Sequence, residues 1–133
     1  MTVATARRRA AGRRYAARDE HLACAVLPDQ ARPDLVLAGI AQALRPGGVY
    51  LCVDIAASSR LAENLDHPLG PFLYTASCMH CMTVSLAQGG MGLGTMWGEQ
   101  TAREMLSDAG FTSVEALHVD GDIRNTYFIA AKS

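Results

Sequence analysis

The clearest hydrophobic pattern along the chain is a helix followed at once by a buried strand, between residues 34 and 55. Apolar residues recur at the spacing of one helical face: Leu37, Ile40, Ala41 and Leu44. Asp34 is the predicted N-cap, behind Pro33. Pro46 and the glycine pair after it predict that the helix ends at Arg45, near the final carbonyls.

An almost continuous apolar run from Val49 to Val53 follows this turn and ends in Asp54. Such a run predicts a strand that is covered on both faces and carries a carboxylate at its C-terminal edge. Ligands of open α/β sheets bind at that edge. Asp54 is therefore a candidate substrate-binding residue.

The C-terminal third predicts a helix and then two strands. Residues 99–109 have a core face of Ala102, Met105, Leu106 and Ala109, with Gly110 as the stop. Strands are predicted over residues 113–119 and 126–131, and His118 falls within the first of them. This order predicts a hairpin that closes one side of the sheet.

A largely apolar helix is predicted between these regions, from Phe72 to Ala87, and the glycines at positions 89 and 90 end it. Helical spacing places Leu73, Ser77, His80 and Val84 on one face. The adjoining face is predicted to carry Tyr74, Cys78, Cys81 and Ser85.

Composition indicates one soluble domain. The chain has 133 residues, half of them hydrophobic, and a net charge of -1. No run approaches the roughly 18 apolar residues of a membrane span. The four cysteines lie in apolar surroundings and predict reduced, buried thiols in a cytoplasmic protein.

A basic arm begins the chain. The first twenty residues carry six arginines against Asp19 and Glu20, so their net charge is +4 and that of the remainder is -5. Nucleic acid, an anionic membrane and targeting are possible readings of such an arm. No apolar segment follows Arg14, and only Tyr15 is available for base stacking, so the arm over residues 1–28 is interpreted as poorly ordered and nucleic acid as an unlikely partner.

The amino-acid sequence also resembles that of a known family. LRPGG followed by an apolar strand resembles the entry to the fifth strand of class I S-adenosylmethionine (SAM)-dependent methyltransferases, and residues 54–100 are similar to a bacterial subgroup with a winged-helix-like segment before that domain. The resemblance covers residues 29–133. It implies an α/β fold: an incomplete Rossmann-like sheet, strands 4 to 7, with a helical insertion after strand 5.

The resemblance covers only the last part of the family's domain. A Gly-rich turn after the first strand and an acidic residue ending the second are missing, and Asp29 and Gln30 are what remains of the cofactor-binding positions. Two family histidines would be Pro28 and Arg32 here. Upstream only residues 21–27 suggest a residual strand. We therefore expect a truncated or frame-disrupted gene product with negligible affinity for SAM.

The family's insertion helix covers the substrate, which makes His80 a candidate catalytic base and Tyr74 a candidate substrate contact. His67, before a proline, and Trp97, at the start of the next helix, are further candidates for the same pocket. Each has an alternative reading as a packing or surface residue, and for His80 that alternative is a hydrogen-bonded packing role.

Two motifs invite other interpretations. The glycines at positions 90, 92 and 94 match a cofactor-turn spacing, but too few residues follow for the βαβαβ half, and the family places a glycine loop here between helices. Cys78-Met79-His80-Cys81 has no second pair at zinc spacing and lies in mid-helix, so core packing is predicted and no metal.

Three functions follow as hypotheses. The first is the remnant of a methyltransferase for a small-molecule acceptor, defective when isolated. The second is a non-catalytic interaction module that pairs through its incomplete sheet, with homodimers or self-association as a consequence. The third is a weak nucleic-acid binder that uses the basic arm.

Overall fold

The computed structural model describes residues 22–24, 27 and 30–133, and the side chains of all of these except 22–24. The predictions for the basic arm and for Asp29 lie outside the described residues. The elements, in chain order, are β1 (Leu22–Cys24), α1 (Pro33–Ala43), β2 (Val49–Ile55), a 3₁₀ turn (Leu61–Asn64), α2 (Gly70–Ala76), a π-helical turn (Ser77–Cys81), α3 (Met82–Ala87), α4 (Gly98–Asp108), β3 (Ser113–Leu117) and β4 (Asn125–Ala131).

The described strands form a four-stranded sheet of order β1-β2-β4-β3. β1 runs parallel to β2, and β4 lies antiparallel to both β2 and β3. The hairpin of β3 and β4 therefore closes one side of the sheet, with β4 inserted beside β2. This mixed α/β sheet confirms the predicted fold class, and β1 lies within the predicted residual strand.

The core lies on one face of this sheet. Alternate residues of β2 and β4 are buried there together with the apolar faces of α1 and α4: Tyr50, Cys52, Phe128 and Ala130 from the strands, and Leu37, Ala41, Ala102 and Leu106 from the helices. The opposite face of β2, with Leu51 and Val53, is only half-buried. The sequence predicts a strand covered on both faces, and the second face is covered less than the first because the described helices α1 and α4 both join the core on the first face.

The turn between α1 and β2 follows from its sequence. Pro46 and Gly47 occupy the two central positions of a four-residue turn closed by a 2.9 Å bond from Gly48 N–H to Arg45 O, and Gly47 has φ of +78°. Proline fixes the first of these positions and glycine tolerates the second. The last carbonyls of the helix are bound from elsewhere: Lys132 Nζ donates to Ala41 O at 2.7 Å and to Leu44 O at 2.8 Å.

The start of α1 differs from the prediction. The helix begins at Pro33. Arg32 occupies the N-cap position, where its side chain makes no capping hydrogen bond, so Asp34 is not the N-cap. Proline suits the first helical position, which moves the N-cap from Asp34 to Arg32, two residues earlier. The Asp34 carboxylate accepts two hydrogen bonds from the Arg32 guanidinium instead, at 2.9 and 2.6 Å, and these hold the pKa of Asp34 below its usual range.

The predicted faces of the insertion helix are also wrong. The helix runs without a break through α2, the π-helical turn and α3, and its buried residues are Leu73, Ser77 and Ser85, with Cys81 half-buried. A π turn contains one extra residue, so it rotates the residues after it relative to an ideal α-helix. His80 and Val84 consequently lie on the exposed side.

The C-terminal third matches its pattern closely. α4 buries Ala102 and Leu106, and Gly110 follows its end with φ of +103°. β3 ends at Leu117, so His118 lies beyond the strand, where it is exposed and its Nε2 is 3.5 Å from Glu99 Oε2. No helix in the described part of the chain is both long and apolar enough to cross a membrane.

Candidate functional site

The candidate site begins at the C-terminal ends of β1 and β2, which meet at one edge of the sheet because the two strands are parallel. Asp54 lies there, with 7% of its surface exposed, in register with Thr126 of β4. Its Oδ1 accepts the N–H of Ile55 at 2.7 Å. A buried carboxylate is thus held at the sheet edge where the chain leaves β2.

The loop that leaves this edge is held by Asn64. Asn64 is 5% exposed, and its amide group binds the backbone of Ser58 in both directions. Ser58 N–H donates to Oδ1 at 2.9 Å, and Nδ2 donates to Ser58 O at 2.7 Å. Nδ2 also donates to the Tyr74 hydroxyl at 2.9 Å, which joins the loop to α2. Asn64 is a functional candidate that the sequence patterns did not reveal, because a lone polar residue in a loop carries no periodic signal.

His67 fastens the same loop to the end of β2. Leu69 N–H donates to His67 Nδ1 at 3.1 Å, so Nδ1 is an acceptor and the ring proton lies on Nε2. His67 Nε2 then donates to Ala56 O at 2.8 Å. Both ring nitrogens are therefore engaged, and the imidazole is neutral in this arrangement.

The N-terminus of α4 receives its cap from this loop. Ser59 Oγ donates to Trp97 O at 2.7 Å and accepts the N–H of Thr101 at 2.9 Å. Gln100 also holds the loop, because its Oε1 accepts Ser59 N–H at 2.7 Å. Gly98 permits the close approach: a Cβ built on it would lie 2.1 Å from Ser59 N.

Charged side chains line the outer side of the loop. The Ser58 hydroxyl donates to the Glu63 carboxylate, and Arg60 pairs with the same carboxylate at 3.2 Å. These two contacts, the serine hydrogen bond first, hold the pKa of Glu63 below its usual range. Glu63 is therefore a carboxylate at neutral pH and cannot act there as a proton donor.

The glycine loop after α3 lies against the segment that follows β1. Met91 N–H donates to Ala31 O at 2.9 Å, and the Ser85 hydroxyl is 3.4 Å from Gln30 O and accepts Gly92 N–H at 3.1 Å. A Cβ on Gly90 would lie 2.5 Å from Ala31 O. The loop follows a helix, α3, so it is not a strand-to-helix cofactor turn, as expected.

The remaining candidates are placed in different surroundings. Trp97 is buried in the core, which supports its packing reading. His80 is exposed, so its side chain is not the buried packing residue of the alternative reading. Tyr74 is half-buried beside Asn64, and Gln30 is half-buried beside the glycine loop. The structure thus brings His67 and Tyr74 to one loop, and it places His80 on the outer side of the helix.

The cysteine motif does not form a paired site. Cys78 is exposed, which contradicts the prediction that it is a buried thiol, whereas Cys81 is half-buried and accepts the Thr95 hydroxyl at 3.1 Å. Both cysteines belong to the π-helical turn, in which residues three positions apart do not share a face as they do in an α-helix. No group of metal-binding side chains occurs among the described residues.

Solved structures with a similar fold include two methyltransferases. An O-methyltransferase family protein from Burkholderia thailandensis is 19% identical, with a TM-score of 0.60, over 100% of this chain and 34% of that one. Human N-acetylserotonin methyltransferase, solved in complex with SAM, is 21% identical, with a TM-score of 0.56, over 92% of this chain and 31% of that one. This chain spans about a third of the length of either.

No protein-family model and no curated protein matches the chain. At this level of identity the likeness concerns the fold, and it agrees with the four strands and the helical insertion that the LRPGG passage implies. The chain therefore has the fold of one part of a class I methyltransferase domain.

Proposed function

We propose that the chain is the C-terminal part of a SAM-dependent methyltransferase for a small-molecule acceptor, and that it is defective when isolated. One observation carries the proposal: the parallel strands β1 and β2 end at an edge that the helical insertion adjoins, through His67 bound to Ala56 O and Ser85 beside Gln30 O. Acceptors of α/β enzymes bind at such an edge.

The described residues do not fit the whole cofactor. The glycine-rich segment lies between helices and contacts Ala31 through Met91 N–H, so its backbone is engaged within the protein. Gln30 is the one predicted cofactor-binding residue in the described part, and a single side chain does not replace the backbone donors of a Gly-rich cofactor-binding turn. We assign the acceptor side of the site to this chain and derive no step that involves the cofactor.

Tyr74 is the best-placed acceptor contact. Its hydroxyl oxygen accepts a hydrogen bond from Asn64 Nδ2, so its own O–H remains to donate elsewhere. His67 uses both ring nitrogens within the loop, which assigns it a positioning role. Asp54, buried at the strand end, stays a predicted substrate contact, and Trp97, buried in the core, stays a predicted one. His80, exposed on the outer side of the insertion helix, stays a predicted base.

Titration calorimetry tests the defective state. We expect no saturable heat when SAM is titrated into the chain, with a complete O-methyltransferase and the same cofactor stock as the positive control. Micromolar binding would contradict the proposal, because it would require a cofactor site that the described residues do not supply.

Ligand-observed NMR with a panel of phenols tests the acceptor side. We expect saturation transfer from the chain to a subset of the panel, reduced at least about threefold in affinity by Tyr74→Phe, which removes the donor O–H. Thr75→Val, on the exposed side of the same helix, is the matched control. Equal binding by both variants would show that the Tyr74 hydroxyl does not contact the acceptor.

A second candidate function is an interaction module. β1 has three residues and, among the described strands, pairs only with β2, so its other edge is a possible place for a strand of another chain. The basic arm lies outside the described residues, and its nucleic-acid reading stays a prediction that salt-dependent DNA binding would test. A cytoplasmic location likewise stays a prediction.

A further inference from the structure

One buried polar side chain makes no hydrogen bond within the described part of the chain. Five polar or charged residues are buried there: Asp54, Asn64, Ser77, Ser85 and Thr126. The first four each form at least one side-chain hydrogen bond, such as the one that Ser77 Oγ accepts from Thr95 N–H at 3.1 Å. Thr126 Oγ1 has no partner, although the residue is 1% exposed.

Packing alone does not account for a threonine at this position. A buried hydroxyl loses its hydrogen bonds to water, so nearly all buried polar side-chain atoms in proteins have a partner within the structure. Valine has the shape of threonine without the hydroxyl, and it suits a buried strand position equally well. Residues that break a local folding rule in this way are concentrated at functional sites.

Thr126 lies at the sheet edge that the acceptor uses in the proposed function. Because β4 is antiparallel to β2, its first residues lie at the C-terminal end of β2, where Thr126 is in register with Asp54. Residues directly opposite each other in an antiparallel pair present their side chains on the same face. The loop that leaves β2 begins beside them, since Ala56 N–H donates to Arg124 O at 2.8 Å. The unpaired hydroxyl is therefore next to a predicted substrate contact.

We propose that Thr126 is a further acceptor-binding residue, and that its hydroxyl forms a hydrogen bond with a neutral hydroxyl group of the acceptor. This inference rests on the proposed function, because it adds a contact to the same site. Threonine can both donate and accept, and a hydroxyl of the acceptor can do the same. Thr126 is shielded from solvent in this structure, so binding requires the sheet edge to open locally.

A paired change of protein and ligand tests the proposal. The probes are para-cresol and para-xylene, which have nearly the same shape and differ by one hydroxyl. Thr126→Val should weaken the binding of para-cresol at least about threefold and leave that of para-xylene unchanged, because only the phenol loses a hydrogen bond. Ligand-observed NMR titrations of the full chain measure these affinities.

Thr112→Val is the matched control. The Thr112 hydroxyl is exposed and donates to Ala131 O at 3.3 Å, at the opposite end of β4 from Thr126. This variant should leave the affinities for both probes unchanged. Equal weakening of para-cresol and para-xylene by Thr126→Val would reveal a change of shape instead of a lost hydrogen bond, and it would contradict the proposal.

Thermal melting separates this role from a structural one. Thr126→Val should melt at the same temperature as the unsubstituted chain or higher, because it removes a hydroxyl that has no partner. A clearly lower melting temperature would show that the hydroxyl is bonded within the folded chain and would overturn the proposal.

The two proposals fail in distinguishable ways. Binding of para-cresol that Thr126→Val leaves unchanged would overturn the role of Thr126 and leave the acceptor site of the proposed function in place. An unsubstituted chain that binds neither probe would overturn both.

Discussion

The two halves of the described molecule are stabilised in different ways. In the sheet and its two covering helices, large side chains such as Tyr50 and Phe128 are buried, and Tyr50 stacks on Phe111 with ring centroids 5.7 Å apart. In residues 56–97, between β2 and α4, the buried residues include Asn64, Ser77 and Ser85 as well as Leu73 and Met96, whereas four of the six leucines are exposed.

The difference separates stability from recognition. The sheet half buries its apolar side chains in one core between the strands and the two helices, and this burial stabilises it. The insertion uses hydrogen bonds and close glycine contacts to hold its shape together with a few buried apolar residues such as Leu73 and Met96, and it leaves several large apolar side chains exposed. Those exposed apolar residues are available for a partner or a ligand.

The largest expected effect is at the junction of the two halves. Gly98→Ala should reduce the free energy of unfolding by about 4 kcal/mol, since a Cβ there would lie 2.1 Å from Ser59 N and the residue has φ of +82°. Urea denaturation followed by circular dichroism measures it. Gly47→Ala is the matched control: its φ of +78° is similar but nothing lies within 4 Å of the added carbon, so about 1 kcal/mol is expected. Equal losses would show that the contact with the loop does not matter.

The next largest difference in the free energy of unfolding is expected between apolar residues of the two halves. Leu37→Ala in α1 should cost about 3 kcal/mol, because Leu37 is fully buried in the core. Leu65→Ala should change stability by less than about 0.5 kcal/mol, because Leu65 is 77% exposed before the insertion helix. Both are measured by the same urea denaturation. A comparable loss at Leu65 would show that the insertion has an apolar core of its own.

These contrasts explain what the sequence predicts and what it does not. Hydrophobic spacing locates α1, β2 and α4 because one face of each is buried, and the Pro46-Gly47 turn has a local cause. The face of His80 is missed because the π turn inserts a residue without a sequence signal. The role of Asn64 is missed because its partners, Ser58 and Tyr74, are defined by the folded loop.

A smaller effect tests that polar loop. Asn64→Ala should reduce the free energy of unfolding by about 2 kcal/mol, because the backbone N–H and C=O of Ser58 lose their partners where little water reaches them. Asn125→Ala is the control. Its Nδ2 bonds only to Asp122 at 2.9 Å in a half-buried position, and about 0.5 kcal/mol is expected. Urea denaturation compares the two, and an equal loss would mean that water replaces Asn64.

The smallest effect concerns the acid stability of the β3–β4 loop. Asn125 and then Tyr127 donate to the Asp122 carboxylate, at 2.9 and 2.8 Å, and lower its pKa. A lowered pKa in the folded state contributes stability above the unfolded value, about 3.9, and this contribution is lost as the pH falls through the folded value. Asp122→Asn should therefore flatten the stability profile slightly between about pH 6 and about pH 3, as measured by thermal melting at each pH. A profile parallel to that of the unsubstituted chain would show that solvent screens this exposed carboxylate completely.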